Sequence, residues 1–244
     1  MVTIVLVHGA FADSSSWNGV IERLQKKGQT VVAAPNPLRG VAPDSAYIKS
    51  VVEQIEGPVL LVGHSYAGAL LSNVAPKARN VVGLVFVAAF APDDGESLGD
   101  ISNRSKDSLL GPALLQKQYP TGQDGQTAPE FFVNPARFHD VFAGDLPVEQ
   151  AAVLAATQRP IAAAAFSDKS GPPAWKSIKS WAVVAIGDKA AGTDIVRSMA
   201  QRAGAKIVEV ESSHLVMVSH PDVVTDVILE ATRAVQPADT GAVR

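Results

Sequence analysis

The chain reads as an α/β protein built on a mainly parallel six-stranded sheet, with helices on both faces and a helical insertion. Three observations predict this. Runs rich in β-branched residues alternate with segments of helical period. The runs are apolar almost throughout, as suits strands buried on both faces. The alternation stops once, between about Ala91 and Ala174, in a stretch that holds most of the Pro and Gly punctuation. A length of 244 residues, 47% of them apolar and 18% charged, fits one globular domain carrying an insertion.

Val2–Val7 is the first predicted strand. Trp17–Lys27 follows as a helix because Trp17, Val20, Ile21 and Leu24 fall at helical spacing, and Gly28 suits its end. Then come strand Thr30–Ala34, helix Asp44–Ile55, strand Val59–Val62, helix Gly68–Ala75 and strand Val81–Ala89. Late in the chain stand strand Trp181–Ile186, helix Asp194–Ala203, strand Lys206–Val210 and helix Pro221–Val235. Such alternation implies right-handed crossovers and an open sheet. Within the insertion, helices are predicted over Ser108–Gln118, Pro135–Phe142 and Pro147–Thr157, with Ala-rich Ile161–Phe166 beyond. The insertion reads as a helical cap over the carboxyl edge of the sheet, where open α/β sheets bind ligands. The expected division is a core of 1–90 and 175–235, a cap of 91–174 and a frayed tail from 236 to 244.

A net charge of −3, with no Lys/Arg run longer than two, speaks against nucleic acid and anionic membranes as partners. With no cysteine there is no disulfide framework, no thiolate nucleophile and no cysteine metal site. No stretch approaches the roughly 18 apolar residues of a membrane span. The first strand starts at Val2 without a basic leader, so a cytoplasmic location is expected. Neither a P-loop, a dinucleotide fingerprint nor an HExxH signature is present, and no cofactor is expected.

Pro58–Gly68 reads PVLLVGHSYAG, an apolar strand breaking into small residues around Ser65. A serine between a buried strand and a small-residue-rich helix start is how a nucleophile elbow looks in sequence, the plainer reading being an ordinary strand-turn-helix. Small neighbours are needed because Cβ atoms there would strike the adjoining strand and helix. Serine needs a base, and the base an orienting acid. Asp188 stands just after the Trp181–Ile186 strand and His214 just after Lys206–Val210, in the order Ser…Asp…His expected of such a fold. Asp93 or Asp94, after Val81–Ala89, is the rival acid, although Pro92-Asp93-Asp94-Gly95 reads more simply as a turn. His220 competes as base but looks like the start of the last helix. His139 reads as a surface residue, and His8 and His64 as structural hydrogen-bonders. An oxyanion hole needs two backbone N–H groups, expected from Tyr66 and from Ala10 in the loop His8-Gly9-Ala10-Phe11, where Gly9 permits close approach.

The succession VLVHGA, GHSYAG, GDK and SSH, with VFVAAFAPD before the insertion, resembles the α/β-hydrolase superfamily. Within it the chain is most similar to the small-esterase branch of plant salicylic-acid-binding methylesterases, hydroxynitrile lyases and bacterial carboxylesterases. The resemblance covers nearly all of the chain outside insertion and tail. It implies the α/β-hydrolase fold, a triad of Ser65, Asp188 and His214, and an oxyanion hole at Ala10 and Tyr66. One departure is Ala67, where the usual G-x-S-x-G has its last glycine. The plant lyases carry threonine where Gly9 stands and lysine where Leu215 stands, so the resemblance favours ester hydrolysis over cyanide elimination. A serine at position 65 also argues against the superfamily members that use an aspartate nucleophile.

The expected partner is therefore a small-molecule ester. Substrate-pocket candidates are Gly9, Phe11, Phe90, Phe142, Phe166 and Leu215, with Phe131, Phe132 and Trp175 in neighbouring segments. An aromatic-lined pocket would suit a small apolar or aromatic acyl group. Activity is expected to fall in acid as the histidine base takes up a proton. The alternatives are a lyase or cofactor-free perhydrolase activity on the same triad, or a ligand-binding protein on a hydrolase scaffold.

Overall fold

The computed structural model describes residues 1–122 and 124–236; beyond Gln236 the expected tail lies outside them. In chain order the elements are β1 (Thr3–Val7), α1 (Asn18–Lys26), β2 (Thr30–Ala34), α2 (Val41–Glu53), β3 (Val59–His64), α3 (Ala67–Val74) and β4 (Val81–Val87). The chain then leaves the sheet through α4 (Leu98–Ser102), β5 (Leu114–Pro120), β6 (Thr127–Val133), α5 (Pro135–Phe142), α6 (Val148–Thr157), β7 (Ile161–Ala162) and the single turn α7 (Ala164–Ser167). It returns with β8 (Ser180–Ala185), α8 (Thr193–Arg202), β9 (Lys206–Val210), α9 (Val216–Ser219) and α10 (Pro221–Val235).

Six strands form one sheet in the order β2-β1-β3-β4-β8-β9, every neighbouring pair parallel. This is the predicted sheet, with strand limits within two residues. All of β3 and β8 is buried, which accounts for their unbroken apolar sequences. Two glycines show that helices cover both faces. A Cβ on Gly63 would meet Leu71 and Ala67 of α3, whereas one on Gly83 would meet Leu60 of β3 and Val235 of α10. Positions 60 and 63 of β3 differ by an odd number and so point to opposite faces. On α10 the buried residues Val224, Val227, Ile228 and Ala231 recur at i, i+3, i+4 and i+7, the stripe that seats it.

Parallel strands in register bring their carboxyl ends to one edge. Val7 lies beside Gly63, Gly63 beside Phe86, Val87 beside Val183, and Ala185 beside Val210. The loops leaving this edge carry Gly9, Ser65, Phe90, Asp188 and His214.

The excursion between β4 and β8 departs from expectation. Ser108–Gln118 is not a helix: Gly111–Ala113 makes a 3-10 turn and Leu114–Pro120 a strand, antiparallel to β6. Ile161–Phe166 divides into β7, which pairs with β6, and α7. The excursion therefore holds a three-stranded antiparallel sheet as well as helices. Leu, Gln and Lys favour helix locally, but pairing with Phe131, Phe132 and Val133 of β6 prevails, and Lys117 Nζ rests 4.5 Å from the Phe132 ring centroid. Phe138, Val141, Phe142 and Ile161 of the excursion join the same apolar core as the sheet.

Candidate active site

Ser65 sits between β3 and α3 at φ 54°, the left-handed region that a non-glycine residue enters only under constraint. Its N–H donates to the Val87 carbonyl (3.2 Å), and its carbonyl accepts from Gly68 N (3.0 Å) and Phe90 N (3.1 Å). The neighbours must be small for identifiable reasons. A Cβ on Gly63 would fall 2.7 Å from Leu71 Cδ1, and one on Gly68 would overlap the Phe90 carbonyl oxygen. The close approaches fall at 63 and 68, which explains why Ala67 is tolerated where a glycine is usual. Gly9 lies under the serine, its added Cβ 2.7 Å from Ser65 Cβ.

The geometry brings Ser65, His214 and Asp188 together. His214 Nε2 is 2.8 Å from Ser65 Oγ, and Nδ1 is 2.7 Å from Asp188 Oδ2. Asp188 Oδ1 accepts from the amides of Ala190 (2.8 Å) and Ala191 (3.0 Å), which fixes the carboxylate. Facing a carboxylate, which can only accept, Nδ1 is the donor, and in the neutral imidazole that leaves Nε2 as the acceptor for the serine hydroxyl. His214 and Asp188 are each 1% exposed and Ser65 7%, so the three are almost wholly buried. The rivals lie elsewhere. Asp93 pairs with Lys176 (2.5 Å), His220 Nδ1 meets Ser219 Oγ (2.9 Å), and half-buried His139 bonds the Leu146 carbonyl (3.0 Å).

Beside the serine, the amides of Ala10 and Tyr66 have no protein acceptor among the described residues. Both residues line the cavity above Ser65. Two adjacent free N–H groups at a serine hydroxyl are suited to an oxygen that gains negative charge. The Tyr66 side chain turns the other way, and its hydroxyl donates to Asp44 Oδ2 (2.7 Å). Asp44 is fully buried at the start of α2 and also accepts from the amides of Arg39 (3.0 Å) and Gly40 (3.3 Å). Burial raises its carboxyl above the ordinary range despite these donors, and burial and then Asp44 raise the Tyr66 phenol.

Both structural histidines serve hydrogen bonds. His8 Nε2 accepts from the Asn36 amide (3.0 Å), and burial pushes its pKa down to about 4. His64 Nε2 donates to the His214 carbonyl (3.0 Å), and burial holds its pKa well below the usual value.

Three further side chains support these groups; Thr193 and Asp145 were not expected at the site, and Phe142 was expected only in the pocket wall. Thr193 Oγ1 accepts from the Asp188 amide (3.2 Å) and so braces the loop that carries Asp188. Phe142 sets its ring edge-on to His214, centroids 4.8 Å apart. Asp145, between α5 and α6, accepts from Ser212 Oγ (2.9 Å) and from Ser213 Oγ, directly before His214. Burial alone would raise the Asp145 carboxyl, but the serine hydroxyls outweigh it and hold it below the usual range. Asp145 carries no sequence signal, because its role depends on two segments far apart in the chain.

The serine and histidine face a cavity of about 20 Å³ walled mainly by Phe11, Phe90, Leu98, Leu110, Phe142, Ile161, Phe166 and Ala191. Four predicted pocket residues, Phe11, Phe90, Phe142 and Phe166, are among them. Gly9 and Leu215 are not in its wall. Leu215 ends the loop after His214 and points into a separate small cavity with Phe11 and Phe138. Phe131 lines an outer groove, and the Trp175 indole N–H bonds the Pro92 carbonyl (3.2 Å). Among the described residues no group of three or more His, Asp or Glu could hold a metal ion, and no helix is long and apolar enough to cross a membrane.

Residues 4–227 match a family described as the alpha/beta hydrolase family. A carbendazim hydrolyzing esterase from Nocardioides sp. (strain SG-4G) is 32% identical over 111 residues, which are 40% of this chain. The match covers 46% of that relative, less than half its length. Among solved structures, polyneuridine aldehyde esterase superposes with a TM-score of 0.78 at 20% identity, over 94% of this chain and 98% of that one. A methylesterase from Arabidopsis gives 0.78 at 17% identity, over 96% and 100%. A pyrethroid hydrolase from Sphingobium faniae JZ-2 gives 0.76 at 19% identity, over 96% and 98%. At these identities the likenesses to solved structures establish the fold.

Proposed function

The chain belongs to the alpha/beta hydrolase family, and from that premise we propose that it is a serine hydrolase of small carboxylic esters. The observation that carries the reading is the unbroken relay Asp188–His214–Ser65, at 2.7 and 2.8 Å, ending beside two free amides. The esterase name of the partial relative from Nocardioides lends it further support.

In this mechanism His214 Nε2 takes the proton as Ser65 Oγ attacks the ester carbonyl. The carbonyl oxygen becomes negative against the amides of Ala10 and Tyr66, while Asp188 holds the tautomer and stabilises the imidazolium. The C–O bond to the alcohol then breaks, and His214 returns its proton to the departing oxygen. Water, deprotonated by the same histidine, attacks the acyl-serine and releases the acid. Preformed donors of this kind are worth about 3 kcal/mol each in the transition state. Cyanide elimination would be favoured by a cation beside the histidine to stabilise the departing anion. Leu215 is apolar and 1% exposed, so it cannot supply one. We place the excursion, residues 91–174, in the role of a cap, since Leu98, Leu110, Phe142, Ile161 and Phe166 close the site from above.

Initial rates on p-nitrophenyl acetate, butyrate and octanoate for wild type and Ser65→Ala test the reading. Turnover by the wild type that is lost in the variant is expected; equal rates would remove Ser65 as nucleophile.

A further inference from the structure

The space at the serine is too small for the chemistry just proposed. About 20 Å³ holds roughly one water molecule, so no ester can occupy the site in this conformation. An open groove of about 750 Å³ shares one lining residue with this space. Among the described residues, Phe166 alone lines both spaces. We infer that Phe166 is the gate through which an ester reaches Ser65, and the residue that limits how large an ester is accepted. This rests on the ester-hydrolase reading and deepens it.

The placement of Phe166 suits it to this role. It sits on the single turn α7 among Ala163, Ala164 and Ala165, side chains too short to wedge a ring in place. It is only half buried, and its aromatic contact is an edge-on meeting with Phe131, centroids 5.8 Å apart and planes at 78°. The turn itself is held by backbone bonds, Phe166 N to the Ala163 carbonyl (3.1 Å) and Asp168 N to the Ala164 carbonyl (2.8 Å). Rotating the ring therefore leaves the backbone intact and costs only rotamer and contact energy. The alternative route, past Phe11, is closed. The cavity there is about 10 Å³, and Phe11 is 3% exposed. Its backbone is fixed at φ 59° with its amide on the Arg159 carbonyl (3.0 Å), and its ring stands edge-on to Phe142.

With the ring swung aside, the two spaces become one channel, and the part of the substrate farthest from the reacting carbonyl lies in the groove. The groove offers Phe131 and Tyr119, and the Lys169–Asp100 ion pair (2.6 Å) stands on its wall. That chemistry suits an apolar or aromatic group ending in a polar one.

The test compares wild type, Phe166→Ala and Phe166→Trp by the ratio of kcat/KM on p-nitrophenyl octanoate to that on p-nitrophenyl acetate. It also follows labelling of Ser65 by a small and a bulky fluorophosphonate. The alanine variant should raise the octanoate-to-acetate ratio by about tenfold or more, and the tryptophan variant should lower it. Labelling by the bulky probe should follow the same order. A ratio unchanged in both variants, with acetate turnover persisting, overturns the gate and leaves the hydrolase reading standing. Wild type that neither hydrolyses any ester nor is labelled at Ser65 overturns both.

Discussion

Replacing Tyr66 with phenylalanine removes one oxygen and leaves the ring in place. That oxygen donates to Asp44 Oδ2 at 2.7 Å, and Asp44 is fully buried. The amides of Arg39 and Gly40 remain as donors, so the carboxylate loses one partner and not all. A hydrogen bond to a buried charged group is worth about 2 kcal/mol, which for a protein of this size lowers Tm by about 4 to 8 °C. The pH dependence identifies the cause. Burial raises the Asp44 pKa in the folded chain, so Asp44 opposes folding as pH rises through that raised range. The Tyr66 hydroxyl favours the ionised form, so losing it raises Asp44 further. The destabilisation of the variant should therefore be larger at about pH 8 than at about pH 4.5. Thermal melts of both proteins at the two pH values measure this. An equal Tm, or a difference that grows in acid, would refute the account of a carboxylate held by the phenol.

Asp188→Asn should keep the fold yet lower kcat by about 10⁴-fold, because an amide no longer enforces the Nδ1–H tautomer of His214; steady-state rates beside a melting curve check this. Asp145→Ala releases Ser212 and Ser213 and should lower kcat by about tenfold to a hundredfold with a smaller change in KM, since His214, the proposed base, is displaced slightly; partial recovery in Asp145→Asn would distinguish positioning from bulk. His8 keeps its pKa at about 4 in the folded chain, against 6.5 as its ordinary value. Between those values the unfolded chain binds a proton that the folded one refuses, so stability is lost as pH falls from 6.5 toward about 4, by up to about 3 kcal/mol for His8. Lowered His64 acts in the same direction. Tm measured from about pH 7 to pH 5 should fall steeply in wild type and less steeply in His8→Gln.

The sheet was readable because its signals are local: β3 and β8 are buried along their whole length and show it as unbroken apolar sequence. The elbow was readable because Gly63 and Gly68 mark close contacts in the chain itself. Leu114–Pro120 was not, since its residues favour helix locally and become a strand only through pairing with Thr127–Val133. The same holds for the Tyr66–Asp44 bond and for Asp145 on Ser212 and Ser213. Each joins segments whose proximity is a product of the fold, and neither aspartate stands in a motif. Leu215 illustrates the opposite error. It follows His214 in sequence, yet the chain turns it into another cavity.

The left-handed backbone at Ser65 also restricts what chemistry this scaffold could acquire by substitution. At φ 54° a β-branched side chain meets severe crowding, whereas aspartate and asparagine are among the residues that enter this region most readily. Threonine, although it carries the same hydroxyl, is β-branched and so is a replacement that the turn resists. An unbranched carboxylate or thiol at position 65 would keep the geometry and change the reaction. The evolutionary reach of position 65, the proposed nucleophile, is thus set by a torsion angle before any substrate is chosen, and it runs from serine toward aspartate or cysteine and away from threonine.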